Sequence, residues 1–395
     1  MVNPGSVSTS RQVVNSLMRK HKAERVALHE RPWSDTLPAW VAQGYPLRRA
    51  YKEVGERCWH RDGRSEPAKV AGAYEEPVPL WEHFGFDMVE VGPRFDALPI
   101  RGQNEIVAET EEWVIRRNGA GAALKFWKHK AGTPEHIDFR MTTRKIWERD
   151  YRSYLLELDP ERVDTAAMRK QYEAAHKDGK WAYYGQMFVW ERMRQSMGDV
   201  VMYESLLTEP DWVHDFCRVY TDFFEVHFRY VFEQVGLPDG IWIAEDLGYK
   251  NGLFASPRVL RELVLPYHKE IVDFCHSYGL PVILHTDGSI AEALPLIVEA
   301  GYDALNPIER KAVHNEPLVF ADKYGDRLAF VGGFDTRILE TNDRDTIRRE
   351  VAHYLESMKA HNARLVFGSD HSVSPNTRYE SYRYAVEVYR EHMMY

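Results

Sequence analysis

Residues 241–248, IWIAEDLG, and residues 281–288, PVILHTDG, are two runs of one design, separated by a helix-patterned stretch from Pro257 to Tyr278. Each is a short apolar run, fit for a strand buried on both faces. Each ends on acidic or imidazole groups and closes with a glycine that lets the chain turn. The pattern continues through DALNPIE at 303–309, LAFVGGFD at 328–335 and RLVFGSD at 364–370, with helix-patterned stretches between them and a final helix from about Tyr379. Strand alternating with helix marks βαβ units and a parallel sheet. With earlier strands at 86–91 and 181–190, the series predicts an α/β fold, a (β/α)8 TIM barrel carrying an N-terminal helical and irregular extension. No GxGxxG or GxxxxGK[ST] loop follows any strand, which sets aside a doubly wound nucleotide-binding sheet.

Working outward, Val13, Val14, Leu17 and Met18 recur at helical spacing and predict an amphipathic opening helix. The segment after it, from Arg25 to Pro46, holds Pro32, Pro38 and Pro46 with Trp33 and Trp40, and no period fits it. Three prolines forbid one continuous helix, so an irregular arm laid over the body is expected. The expected division is residues 1–80 as helix and arm and residues 81–395 as the barrel, together one structural unit. Residues 106–115 read as strands around a turn, and the charged stretch 133–170 as surface helices and connections.

The 395 residues are 44% hydrophobic and 28% charged, ordinary for a globular protein with a sizeable core. A formal net charge of -9 and the lack of a basic stripe argue against nucleic acid as a partner. Three scattered cysteines, Cys58, Cys217 and Cys275, form no CxxC pair and read as reduced, inert thiols. The first residues lack the apolar core of a secretion signal, and no run nears the roughly 18 apolar residues needed to cross a bilayer. The expected address is the cytoplasm, with no membrane partner.

The strand ends carry the chemistry. In extended backbone, residues two apart point the same way, so His285 and Asp287 can face one ligand. His371 follows the last strand, and the three make a two-histidine, one-carboxylate set for a divalent metal. Glu245 and Asp246 are adjacent, so alternation sends one toward the barrel axis and the other toward the wall. With Glu309 and His371 they are the candidate acid/base groups. The bland alternatives are strand-end hydrogen bonding for the histidines and a helix-start carboxylate for Glu309. Asp335 follows two glycines and either faces the ligand or caps a helix. Tyr184 and Gln186, on the aromatic run WAYYGQMFVW, are candidates to present a hydroxyl and an amide to substrate, and Arg31, Trp33 and Asp35 on the arm complete the expected binding set.

HFGFDMVEVG, YYGQMFVWERM, LVLPYHKEIVDFCHSYGL, HTDG, GGFD and the Asp370-His371 pair, in this order along the chain, resemble the uroporphyrinogen decarboxylase-like superfamily. That superfamily includes the decarboxylase and the cobamide-dependent methyltransferases. The resemblance implies a barrel with a deep pocket at the carboxyl ends of its strands. In the decarboxylase branch, arginines four residues apart hold substrate propionates. Arg31 fits the first position, but Asp35 stands at the second and reverses the charge. The methyltransferase branch carries zinc on an HxC motif with a later cysteine; here Asp287 and His371 stand in the cysteine positions. Oxygen and nitrogen donors suit polarisation of an ether, amine or carboxylate better than support of a soft thiolate. The resemblance, closer to this branch, therefore implies a demethylating enzyme with a divalent metal, zinc in the first instance. It would pass methyl between a small O- or N-methylated compound and a corrinoid (cobalamin), carried by a partner corrinoid protein, and a homodimer is among the assemblies it allows. The alternatives are a carboxy-lyase of the decarboxylase type and a ligand-binding barrel without chemistry.

Overall fold

The structure is a computed structural model that describes residues 8–21, 23–128 and 130–395. Residues 1–7, part of the segment read for a leader, lie outside the described residues. Eight parallel strands, β1 (Ala27–Leu28), β2 (Met88–Glu90), β3 (Trp181–Met187), β4 (Gly240–Ala244), β5 (Val282–His285), β6 (Ala304–Asn306), β7 (Ala329–Val331) and β8 (Leu365–Phe367), lie in the order β1-β8-β7-β6-β5-β4-β3-β2. This is the expected α/β barrel, nearly closed and flanked by helices. The final closure is unusual. β1 and β2 form no ladder; instead Asp87 N–H donates to the Leu28 carbonyl at 2.7 Å and the Asp87 carboxylate accepts from Leu28 N–H at 2.7 Å. Arg25 holds that carboxylate at 2.7 and 2.9 Å.

Alternation along the strands sends Trp181, Tyr183, Trp242, Ile283, Ala304, Ala329 and Val366 into the barrel. The opening helix, Ser10–Met18, starts on a Thr9–Gln12 capping box and lays Val13, Val14, Leu17 and Met18 against that interior, closing its amino end. Each of these side chains contributes roughly 1.5–3 kcal/mol by leaving water. No helix among the described residues is long and apolar enough to cross a membrane.

Two expectations need correction. The first barrel strand lies inside residues 1–80, in the segment expected to be only an arm. A strand of two residues leaves no periodicity to read. The stretch from 133 is not all helix: Glu135–Phe139 is the edge strand of a four-stranded antiparallel sheet with Asn104–Glu109, Trp113–Asn118 and Ala122–Trp127. Its alternation is masked because Glu135, His136, Ile137 and Asp138 are all exposed. This sheet sits over the barrel mouth, and Phe139 packs at Gly198, where a Cβ would come within 2.5 Å of the phenyl ring. Gly198 has φ 75°, ψ 163° inside helix Val189–Thr208, so the helix breaks where the sheet rests on it.

Candidate metal centre

Register places the carboxyl ends of β4, β5 and β6 side by side, pairing Ala244 with His285 and His285 with Asn306. Two residues beyond Ala244 comes Asp246, and two beyond His285 comes Asp287. Each keeps the inward parity of its strand. One donor atom from each of Asp246, His285 and Asp287 lies within 4.8 Å of the others. His285 Nε2 is 3.9 Å from Asp246 Oδ1 and 3.9 Å from Asp287 Oδ2, and His371 Nε2 is 3.7 Å from Asp287 Oδ2. All four side chains line one cavity of about 780 Å³ at the barrel mouth.

The protonation of His285 follows from its neighbours. Asn306 Nδ2 donates to the Val331 carbonyl at 2.8 Å, which leaves Asn306 Oδ1 to accept from His285 Nδ1–H at 2.7 Å. The Nε2 lone pair is therefore the one facing the carboxylates, the tautomer a metal requires. Asn306 stands behind His285 as its orienting partner. Asn306→Ala should weaken zinc binding by about 10- to 100-fold, read by competition with a chelator.

Burial, reinforced by the charges of Asp246 and Glu309 and opposed by His285 and His371, pushes the Asp287 carboxyl up to about 6. Its Oδ1 is buried and has no hydrogen-bond partner among the described residues. A buried carboxylate oxygen with nothing to bind is costly, and a cation removes that cost. The donor chemistry, two carboxylates and an imidazole with a second imidazole adjacent, fits a divalent ion of the zinc type. The sign for the metal-free protein follows from the raised value. The folded state holds the Asp287 proton more tightly than the unfolded state does, so this group's contribution to stability is lost as pH rises from about 4 through about 6. Asp287→Asn should therefore melt higher than wild type, metal-free, above pH 6. Zinc affinity of wild type should fall as pH drops below about 6, because the ligand must shed its proton. Thermal scans and metal titrations across pH 4.5–7.5 check both.

The remaining sequence-derived candidates divide by the strand parity. Glu245 turns to the wall: fully buried, it accepts from Trp190 N–H and Glu191 N–H at 3.0 and 2.7 Å, at the start of helix Val189–Thr208, and lies 3.3 Å from His268. Glu309 accepts from Gly288 N–H at 2.7 Å and so fixes the turn after Asp287. That turn needs glycine, since Gly288 has φ 84° and a Cβ there would strike the Gly248 backbone at 2.2 Å. Asp370 is likewise consumed by Arg310 N–H and Thr336 N–H, each at 2.9 Å. Asp335 caps helix Thr336–Glu340 and pairs with Arg337, away from the cavity lining. Tyr184 and Gln186 point outward from β3, to the Gly236 and Phe95 carbonyls, against the expectation that they face substrate. Met187 carries the inward parity to the cavity.

On the arm, Arg31 and Trp33 line the cavity, and Trp33 packs against the His371 ring at 5.5 Å. Asp35 does not line it. It accepts from Ala131 N–H at 3.1 Å and so ties the covering sheet to the arm. Arg31 lies 3.0 Å from Glu90, and Arg94 2.6 Å from the same carboxylate. Two cavity groups, Glu30 and Glu191, and Glu90 beside the cavity's Arg31 and Arg94 escaped the sequence reading. Glu30 and Glu191 are each pushed up to about 7 by burial, and Glu90 is lowered because Arg31 and Arg94 outweigh its burial. These come from distant segments, and only Asn306, the one polar residue of the strand Ala304–Asn306, offered a local signal.

A family model described as Uroporphyrinogen decarboxylase (URO-D) matches residues 193–392, just over half the chain and every one of the four donor residues. No curated protein matches. Among solved structures, a methyltransferase from Methanosarcina mazei superposes with a TM-score of 0.63 at 13% identity, covering 98% of this chain and 99% of that one. At such identity the likeness speaks to the fold. A Xaa-Pro dipeptidase with bound methionine covers 59% of this chain and 65% of its own at a TM-score of 0.26 and 11% identity, too low to bear on either fold or site.

Proposed function

We propose, from the premise that this chain belongs to the uroporphyrinogen decarboxylase (URO-D) family, that it is a metal-dependent methyltransferase acting on a small O- or N-methylated donor. The acceptor in this reading is a corrinoid carried by a partner protein. The observation that carries the proposal is the donor set Asp246, His285 and Asp287, in which the free Nε2 of His285 faces both carboxylates and Asp287 Oδ1 is buried without a partner among the described residues. A bound zinc ion would supply Lewis acidity toward the heteroatom that bears the methyl group.

The chain's own residues do the rest. Trp33 and Trp242 line the same cavity, the first against His371 and the second stacked on His285 at 6.1 Å, and give an apolar wall for the donor's body. The covering sheet, tied down through Asp35, restricts water above the site. When the donor's carbon–heteroatom bond breaks, the electron pair stays on the heteroatom, which then takes a proton. Glu30 and Glu191 line this cavity with carboxyls near 7, and either can hold that proton at neutral pH.

Tetrapyrrole decarboxylation is the weaker reading. An octacarboxylate substrate needs uncompensated cations, whereas Arg31 and Arg94 share Glu90, and Asp35 occupies the second arginine position of that branch. The test mixes zinc-loaded protein and cob(I)alamin with methyl ethers and methylamines and follows the corrinoid spectrum. Methylation of the corrinoid with at least one donor, abolished by chelator, is the expected result. A silent spectrum together with coproporphyrinogen formed from uroporphyrinogen would overturn it.

A further inference from the structure

A second cavity, of about 470 Å³, opens beside the first at the seam where β1 and β2 lack a ladder. His29, Glu30, Arg31 and Pro32 line both cavities, so one layer of side chains separates them. The other walls of the side cavity are mainly apolar, with Trp81, Met88, Val89, Ala174 and Ala175 among them. Asp87 closes the seam at its amino end. Toward the carboxyl end the bridge is the ion pair of Arg31 with Glu90, at 3.0 Å and with nearly half of the Arg31 side chain exposed. One polar atom there is unsatisfied. His29 is 7% exposed and its Nδ1 has no hydrogen-bond partner among the described residues, while its Nε2 meets Tyr183 Oη at 3.3 Å. A buried ring nitrogen left unpaired is destabilising, and a ligand that pairs with it removes that penalty.

We infer that this side cavity is a ligand site and port for a small uncharged molecule with one hydrogen-bonding heteroatom, which pairs with His29 Nδ1 and passes to the central cavity when Arg31 swings off Glu90. Resting on the methyl-transfer reading, the passenger is the methyl donor or its demethylated product. The arrangement answers a geometric problem in that reading: a bulky acceptor seated over the barrel mouth blocks the donor's path through it, and a lateral port does not. The apolar walls admit a neutral molecule, whereas an ion would have to shed its water to pass. Arg94 also holds Glu90, at 2.6 Å, so the carboxylate keeps a cation when Arg31 leaves. The gate therefore opens without stranding a charge.

The experiment needs neither donor nor metal. Met187 lines the central cavity and is partly exposed, whereas the native cysteines are all buried, so Met187→Cys supplies one addressable thiol. Its labelling is timed with neutral methyl methanethiosulfonate and with the anionic 2-sulfonatoethyl reagent. Ala174 is exposed on helix Thr165–Lys177, and Ala174→Trp plugs the side cavity without disturbing the barrel. The plug should slow neutral labelling about tenfold, equivalent to roughly 1.4 kcal/mol of barrier, and leave anionic labelling unchanged. Arg31→Ala should speed the neutral reagent. Gln171→Trp, on the same wall, repeats the plug should the first variant fold poorly. Equal neutral rates with and without a plug, or equal slowing of both reagents, would overturn the port. A port that labels as expected in a protein that moves no methyl group would instead sink only the methyl-transfer reading.

Discussion

His285→Ala and Asp287→Ala proteins, loaded with zinc and desalted at pH 7.5, should each retain less than about a tenth of the wild-type metal. Removing a partner behind a ligand already costs 10- to 100-fold in affinity, and removing the ligand itself exceeds that, more than about 2.8 kcal/mol. The two variants reach this end differently. Losing His285 removes the one donor whose tautomer the fold has set through Asn306 and Val331. Losing Asp287 removes the carboxylate that lies near both His285 and His371. His371→Ala should lose less, because its Nε2 approaches only Asp287 and stands outside the tight group. Metal analysis of the three variants, with circular dichroism to confirm folding, reads this order.

The second large effect concerns stability. Glu245→Ala should lower unfolding free energy by about 3–5 kcal/mol, the usual cost of breaking a buried charged network. Two backbone N–H groups at the start of helix Val189–Thr208 lose their acceptor. His268, 5% exposed at its side chain, loses its neighbour as well. The same variant should keep its zinc once folded, because Asp246 points the other way. Urea unfolding gives the first number and metal content the second. A variant that unfolds at the wild-type midpoint but has lost zinc would place Glu245 in the centre and not behind it.

The regular half of the chain was legible because its strands are short apolar runs with chemistry at their ends, and a parallel barrel collects strand ends. That logic brought His285, Asp287 and His371 to one cavity and put one of Glu245 and Asp246 on each side of the wall. It could not say which faced in, since two adjacent acids look alike without the strand's parity. On β3 parity failed outright. Every residue of WAYYGQ is buried on one face or the other, so nothing polar marked Trp181 and Tyr183 as the inward set over Tyr184 and Gln186. The acids that tie loops, Glu309, Asp335 and Asp370, have the same residue type and strand-end position as a ligand. Only the backbone N–H groups they meet tell them apart. The seam between β1 and β2 was invisible because Asp87, 59 residues from Leu28, takes the place of a strand partner.

Zinc-edge anomalous diffraction from crystals of the zinc-loaded protein at pH 7.5 addresses the central claim most directly. A peak among His285 Nε2, Asp246 and Asp287, on the floor of the barrel mouth, is the predicted result. An empty map at that position in crystals that hold zinc elsewhere, or that take up none, would contradict it.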